Sequence, residues 1–514
     1  MENDHVPGSL ATHLNSHSVE ILGMRAPPFS AIIAACAVLC LRLDGVQTFA
    51  SEALDAPPPN ILLAIADDWG YPHAGNHADP VVRTPNFDRI AAEGLRCTHA
   101  FCSSPSCTPS RGAILSGQHF WRLKEGANLW STLPAGIPVY PELLEQAGYF
   151  VGFTRKGWGP GKLGDRPRNP AGPEFESFAQ FLKERPEGRP FCFWFGSRDP
   201  HRPYEAGSGR ESGMDLTRIE LPAGLPDCEE VRSDVADYYF EVQRFDREVG
   251  ELLAQLQAIG ELDETLIVMT ADHGMPFPRA KANLYDAGAR VPLAIRWGAK
   301  VARPGRIVTE FVNLAELAPT FLEAAGVAIP ESMTARSLVG LLTSDKESET
   351  DPTRDHVVMG RERHTQAQEA PESGGYPSRA IRTHRYLFIR NFTPERWPAG
   401  TPNHDRAFLT HAWLGDCDNG PTKFYLWEHR DEASVAPSYA RAFGLRPAEE
   451  LYDLKRDPDQ WDNVAGDPAY AHARRELSET LTEELVATAD PRVVGDGDDF
   501  DRYPYFGEVP TWPW

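Results

Sequence analysis

The chain has 514 residues, with 74 Asp or Glu against 51 Lys or Arg and a formal net charge of −23. That length accommodates a large catalytic domain with a smaller one attached. The acidic balance excludes a general nucleic-acid binder, and it obliges any anionic substrate to be met by a locally basic pocket.

Residues 1–53 read as a signal peptide with an N-terminal extension. Met24-Arg25 precedes an apolar run, Phe29–Leu41, that is too short for a membrane span. Small residues follow at Ala50, Ser51 and Ala53, as a signal peptidase requires, so the expected location is periplasmic or secreted. Ala56-Pro57-Pro58-Pro59 is a stiff linker. Asn60–Ala66 is an uninterrupted apolar run, the pattern of a strand buried on both faces, and it delivers Asp67 and Asp68 at its end. Pro85–Gly94 is a short helix with a glycine stop. Cys97, Cys102 and Cys107 follow at intervals of five, a spacing open to a metal or redox cluster but unlike Cys-x-x-Cys.

Phe191–Gly196 is a second buried strand, leading into Asp199-Pro200-His201-Arg202. From Val235 to Leu256 apolar residues recur at helical spacing, and Gly260 ends that helix. Thr265–Ala271 is a third buried strand, ending in Asp272-His273-Gly274, and Ala315–Gly326 is an amphipathic helix. This alternation predicts a layered α/β domain over 57–375, with a central, mostly parallel sheet and an active site at the carboxyl ends of its strands. Beyond it, Ser378–Arg390 alternates as an antiparallel strand pair, Glu450–Pro458 reads as a strand and turn, and a helix lies near 471–488. Residues 376–514 are read as a C-terminal α+β subdomain with an antiparallel sheet.

Asp67, Asp68 and Asp272 would converge at strand ends, where three unpaired carboxylates are costly without a cation. Strand-end caps are the plain alternative. An oxygen-rich set suits Ca²⁺ or Mg²⁺, and His273 shifts the balance toward Mn²⁺ or Zn²⁺. Arg111 lies one helical turn after Cys107, and Pro109 fits the first turn of a helix whose N-terminus would face an anion held near residue 107. Lys156, His201 and Lys281 are further candidates, although each residue type alone is more often solvated or structural. Arg202 and Arg290 are read as structural.

The ordered markers Asp67-Asp68, Thr84-Pro-Asn-Phe-Asp88, Cys107-Thr-Pro-Ser-Arg111, Leu115-Ser-Gly117, Asp199-Pro-His201, Asp272-His273-Gly274 and Leu451-Tyr-Asp-Leu454 are similar to those of the type I formylglycine-dependent sulfatases of the alkaline-phosphatase superfamily. Gly274-Met-Pro-Phe-Pro-Arg-Ala-Lys281 resembles the branch that includes heparan N-sulfatase and bacterial ulvan-active enzymes. The resemblance implies an alkaline-phosphatase-like fold and a sulfated glycan substrate. It also implies oxidation of Cys107 to formylglycine by a dedicated maturation enzyme. Asp67, Asp68, Asp272 and His273 would hold Ca²⁺ (Mg²⁺ and Mn²⁺ being alternatives) with the modified Cys107. Arg111 would stabilise the aldehyde hydrate, Lys156 and Lys281 would hold sulfate oxygens, and His201 would serve as general acid.

Two positions depart from that pattern. His273 stands where the family usually has an amide. Lys156-Gly157-Trp158 stands where members often carry Lys-x-His, whose histidine helps break down the sulfate adduct. His119 is a candidate replacement base. Arg363, His364 and Arg379 are candidate sugar-binding residues, with a solvated charged loop as the equal alternative. Two other readings stand beside the sulfatase: a phosphodiesterase or phosphonate monoester hydrolase of the same superfamily, and a catalytically inactive glycan-binding protein with Cys107 unmodified.

Overall fold

Seven strands form the main sheet of the computed structural model, which describes residues 57–77, 79–347 and 351–513. The leader and extension read at 1–53 lie outside the described residues. The strands are β1 (Asn60–Ala66), β2 (Leu95–Phe101), β3 (Phe150–Arg155), β4 (Phe191–Gly196), β5 (Thr265–Ala271), β6 (Arg290–Arg296) and β7 (Arg306–Asn313), in the spatial order β3-β4-β1-β5-β6-β2-β7. Only β6 runs against its neighbours; every other pairing is parallel. β1 is buried along its whole length between β4 and β5, with Ile61 level with Cys192 on one side and Leu266 on the other. Its run does not alternate because both faces are covered. Since β3, β4, β1 and β5 are adjacent and parallel, their carboxyl ends open on one edge.

Helices close both faces. The longest, α3 (Glu229–Ala258), follows α1 (Pro85–Glu93) and α2 (Cys107–Ser116) in the chain, and α4 (Leu317–Ala324) comes later. α3 buries Val235, Tyr238, Val242, Phe245, Val249, Leu252 and Leu256, the stripe read from the sequence. It starts with Glu229 and Glu230, which complement the helix dipole, and stops at Gly260, whose φ of 76° any side chain would oppose. All ten residues of α2 are buried, so this helix carries no polar stripe.

The second sheet is antiparallel throughout, in the order β8 (His356–Arg361), β9 (Ser378–Thr383), β10 (Tyr386–Asn391) and β11 (Glu449–Asp453). Its first strand lies ahead of the boundary read at 376. The helix α5 (Ala471–Ala487) packs on β9 and β10 through Leu477, Leu481 and Leu485. Both sheets contribute to one continuous hydrophobic core. Cys97, Cys102 and Cys107 do not form the cluster their spacing left open. All three are free, and only Cys107 joins a group of possible metal ligands among the described residues.

Candidate active site

Backbone hydrogen bonds clamp the four strand ends together. The N–H of Asp67 donates to Asp199 O at 2.9 Å, that of Asp272 to Ala66 O at 3.2 Å, that of Lys156 to Gly196 O at 3.0 Å and that of Ser197 to Ile65 O at 2.9 Å. Gly196 is required here, because a Cβ would lie 1.8 Å from the Lys156 carbonyl oxygen. Asp68 has φ of 76°, a strained conformation of the kind that marks functional sites. It is held by its own N–H on Asp272 Oδ1 (3.1 Å) and by the Tyr238 hydroxyl, which donates to Asp68 O at 3.2 Å.

The helix α2 brings Cys107 and Arg111 to this edge. The Cys107 thiol lies 3.6 Å from Asp67 Oδ1 and 3.3 Å from His273 Nε2. Arg111 is fully buried, with Nε on Asp272 Oδ2 at 2.8 Å and Nη1 on the carbonyls of Lys156 and Gly157 at 2.9 and 3.1 Å. Lys156 Nζ donates to both oxygens of Asp67, at 2.6 and 2.5 Å. Lys281 Nζ bridges Asp68 Oδ2 at 2.9 Å and Asp418 Oδ2 at 2.8 Å. His201 places Nδ1 2.6 Å from Arg202 O and Nε2 4.0 Å from Asp68 Oδ2. Buried cations and anions thus interleave, and the charges set each other. Burial alone would raise Asp67, but Lys156, then His201, Arg111 and Lys281, hold it well below the usual carboxylate range. Burial would lower Lys281, yet Asp418 and Asp68 keep it well above an ordinary lysine. Burial pushes the Cys107 thiol up, with Lys156 opposing in part.

Asp67, Asp68, Cys107 and His273 offer ligand atoms that all lie within 4.8 Å of one another. His273 Nδ1 is 3.1 Å from Gly274 O, which can only accept, so a neutral ring carries its proton there. Its Nε2 lone pair then faces Asp68 Oδ1 at 3.2 Å, an oxygen that receives no hydrogen bond from the described residues. Two electron-rich atoms facing each other in a buried site are the arrangement a cation relieves, so this donor set fits a divalent ion. Asp272 lies against this group rather than within it. Its carboxylate accepts the N–H groups of Asp68 and His273 as well as Arg111 Nε.

A pocket of about 1040 Å³ opens over this cluster, lined among others by Asp67, Cys107, Lys156, His201, Lys281 and Asp418. Trp158 lines it too, 5% exposed, and its indole offers no basic nitrogen. His119, the replacement base read from the sequence, is elsewhere. Its ring stacks on Trp121 with centroids 4.4 Å apart, and it lines a separate cavity with His356 and Glu484. Of the three candidate sugar-binding residues only His364 reaches the pocket, with Nδ1 2.8 Å from Ser106 Oγ. Arg363 is buried, its guanidinium bound to the carbonyls of Asp501, Tyr503 and Pro504. Arg379 is fully buried between Asp490 (2.5 and 3.0 Å) and Glu362 (2.8 Å). Both are scaffold residues, because a charge read in a sequence says nothing of the carboxylates folding brings against it. Arg379→Met is therefore expected to cost about 3–5 kcal/mol of stability by stranding the buried Asp490, whereas Glu362 keeps Arg492. A denaturant titration measures that loss, while KM for a sulfated substrate stays unchanged.

The sequence reading missed Asp418. It sits in a loop without a recognisable motif, braced by Lys423, whose Nζ donates to the carbonyls of Trp413, Leu414 and Cys417 at 3.1, 3.1 and 2.7 Å and to Asn419 Oδ1 at 2.8 Å. The C-terminal segment was missed as well: Glu508, Val509 and Pro510 line the pocket. That segment is tied down by the Phe506 N–H on Trp130 O (2.9 Å) and by Gly507, whose Cβ, if present, would fall 2.0 Å from the Trp130 ring.

The geometry agrees with what comparison with known proteins finds. The family model described as "Sulfatase" matches residues 59–160 and 174–327, and that of "N-sulphoglucosamine sulphohydrolase, C-terminal" matches 276–398. Human N-sulphoglucosamine sulphohydrolase is 27% identical over 495 residues, covering 85% of this chain and 92% of its own length. An ulvan-active sulfatase of Formosa agariphila is 28% identical over 457 residues, covering 84% and 81%. The solved structure of BT4656 in complex with its substrate D-glucosamine-2-N,6-O-disulfate shares the fold, with TM-score 0.59 at 20% identity over 86% of this chain and 100% of that one. So does the phosphonate monoester hydrolase of Agrobacterium radiobacter, with TM-score 0.63 at 16% identity over 84% and 96%. The fold, the pocket and these matches agree: the chain belongs to the sulfatase family.

Proposed function

We propose that this sulfatase removes sulfate ester or sulfamate groups from a sulfated polysaccharide or oligosaccharide, with Cys107 oxidised to formylglycine. Asp67, Asp68 and His273 would hold a divalent cation together with the modified residue 107, and Asp272, read from the sequence as a further ligand, braces that set through the N–H groups of Asp68 and His273 and through Arg111. Ca²⁺ is the cation favoured by the carboxylates, with Mg²⁺ and Mn²⁺ as alternatives. The observation that carries the reading is the convergence of Cys107, Arg111, Lys156 and Lys281 on the carboxylate cluster at one pocket floor.

When bound, the cation offsets the charge of Asp67 and Asp68 and lowers the pKa of a hydroxyl beside it. The hydrated aldehyde supplies one hydroxyl to attack sulfur and a second to release it. Lys156, Lys281 and Arg111 balance the charge that builds on the sulfuryl oxygens. His201 is oriented by its Nδ1 hydrogen bond to Arg202 O, so Nε2 is the atom that protonates the departing alcohol or amine. His364 also lines the pocket, with Nδ1 2.8 Å from Ser106 Oγ. Burial, then Lys281, holds its pKa well below an ordinary histidine, so its ring resists protonation and serves as a hydrogen-bonding partner rather than as the base that Trp158 cannot be.

The names of the relatives support a glycan substrate, and the pocket has far more room than one sulfate group needs. The apolar run Phe29–Leu41 and the small residues after it support export to the periplasm or beyond, after conversion by a formylglycine-generating enzyme. Turnover of 4-nitrophenyl sulfate and bis(4-nitrophenyl) phosphate tests the chemistry. The sulfate is expected to be the better substrate by orders of magnitude, and faster diester hydrolysis would overturn the reading. Desulfation of N-sulfoglucosamine against O-sulfated rhamnose oligosaccharides then separates the two substrate classes.

A further inference from the structure

The pocket contains more positive charge than one sulfate requires, and most of it is already paired. Lys156 rests on Asp67, and Lys281 on Asp68 and Asp418. Arg155 pairs with Glu248 at 2.6 Å, Arg202 with Asp234 at 2.7 Å and Arg244 with Asp199 at 2.5 Å. Arg198 lines the same pocket, is exposed, and makes no ion pair or side-chain hydrogen bond among the described residues. The carboxylate next to it in the chain, Asp199, has both oxygens engaged by Arg244 and makes no ion pair with Arg198.

Its position is fixed. Arg198 follows the end of β4, and its carbonyl accepts the His201 N–H at 3.0 Å, closing a turn that carries both side chains. Arg198 therefore stands on the side of the pocket where His201 meets the leaving group. The charge of −23 repels a polyanion at long range, so a glycan bearing several anions needs local cations to be seated. A guanidinium fork matches the two-oxygen face of a sulfate or a carboxylate.

We propose that Arg198 anchors a second anion subsite, which takes a sulfate or carboxylate carried by the leaving portion of the same glycan. This rests on the sulfatase reading above and narrows its substrate class to saccharides with at least two anionic groups. Release of one sulfate would then be favoured by a neighbouring charge that is not itself removed.

The test uses the full chain, with 4-nitrophenyl sulfate as the reporter substrate and matched saccharides as competitors. One saccharide carries a single sulfate, the second carries two sulfates, and the third carries one sulfate and a uronate carboxylate. For the unaltered enzyme a two-anion saccharide is expected to compete about tenfold more tightly than the single-sulfate one, the scale of a charge-assisted hydrogen bond. Arg198→Ala should bring that ratio close to one, while R198K retains part of it. A preference for the disulfate alone assigns the subsite to sulfate, and a preference for the uronate alone assigns it to carboxylate. A ratio near one in the unaltered enzyme, or a preference that survives R198A, overturns the subsite. Absence of any 4-nitrophenyl sulfate turnover by the unaltered enzyme sinks the sulfatase reading instead.

Discussion

Cys107→Ala is expected to lower kcat by at least about 10⁴-fold, the scale seen when a nucleophile is removed, with no loss of fold. The side chain is 2% exposed and its hydrogen-bond partners among the described residues are Asp67 and His273, so alanine removes one sulfur and strands no charge. The thiol itself is a poor candidate for the attacking group. A catalytic cysteine needs a depressed pKa, and burial pushes this one up, with Asp67 and Asp272 adding to the effect against Lys156. Cys107→Ser separates the readings further. A serine can attack once, but it lacks the second hydroxyl that would expel sulfate, so at most one stoichiometric transfer is expected. Mass spectrometry of the peptide containing residue 107 provides the independent readout. A native-host enzyme that is fully active with an unconverted cysteine there would refute the proposal.

Lys281→Met is expected to reduce kcat/KM for the same sulfate by about 10²–10³-fold, the loss seen when one charge-stabilising donor is removed. Lys281 is 4% exposed and links Asp68, at the end of β1, to Asp418, in a distant loop. K281R should recover part of the loss, since a cation remains although its geometry changes. Asp418→Asn should cost less, and the double variant should lose less than the sum, because both changes act through one ammonium group. Single-variant losses that simply add would show that Asp418 has no part in placing Lys281. An unchanged kcat/KM in K281M would remove Lys281 from the sulfate site altogether.

What could be read from the sequence follows from how each part of the site is built. Asp67, Asp68, Asp272 and His273 end buried strands, and continuous apolar runs announce both the strand and its exit point. Cys107 and Arg111 share one helix, so their spacing alone sets their geometry. Asp418 carried no such signal. Its place depends on Lys423 gathering three carbonyls of an irregular loop, a contact with no periodicity. Arg363 and Arg379 misled for the converse reason. They sit near strand ends, where a specificity loop would lie, but Asp490 and the carbonyls near residue 503 arrive from far along the chain, and Glu362 meets Arg379 only once the two strands have paired. The antiparallel sheet was legible at Ser378–Arg390, although the two strands are buried almost throughout rather than at alternate residues, and its first strand at His356–Arg361 was not singled out.

The pocket wall formed by Glu508, Val509 and Pro510 also bears on the order of events in the life of each molecule. A ribosome delivers residue 107 long before it delivers that wall, and once the chain has closed the sulfur is almost out of reach of another protein. Under the formylglycine reading, folding is then a deadline for maturation. A molecule that closes with its thiol intact stays in the population as a well-folded, silent member that no later encounter corrects. The specific activity of a preparation would accordingly count how many chains were caught in time, and raising the supply of the maturation enzyme or slowing closure would increase it without altering a single residue.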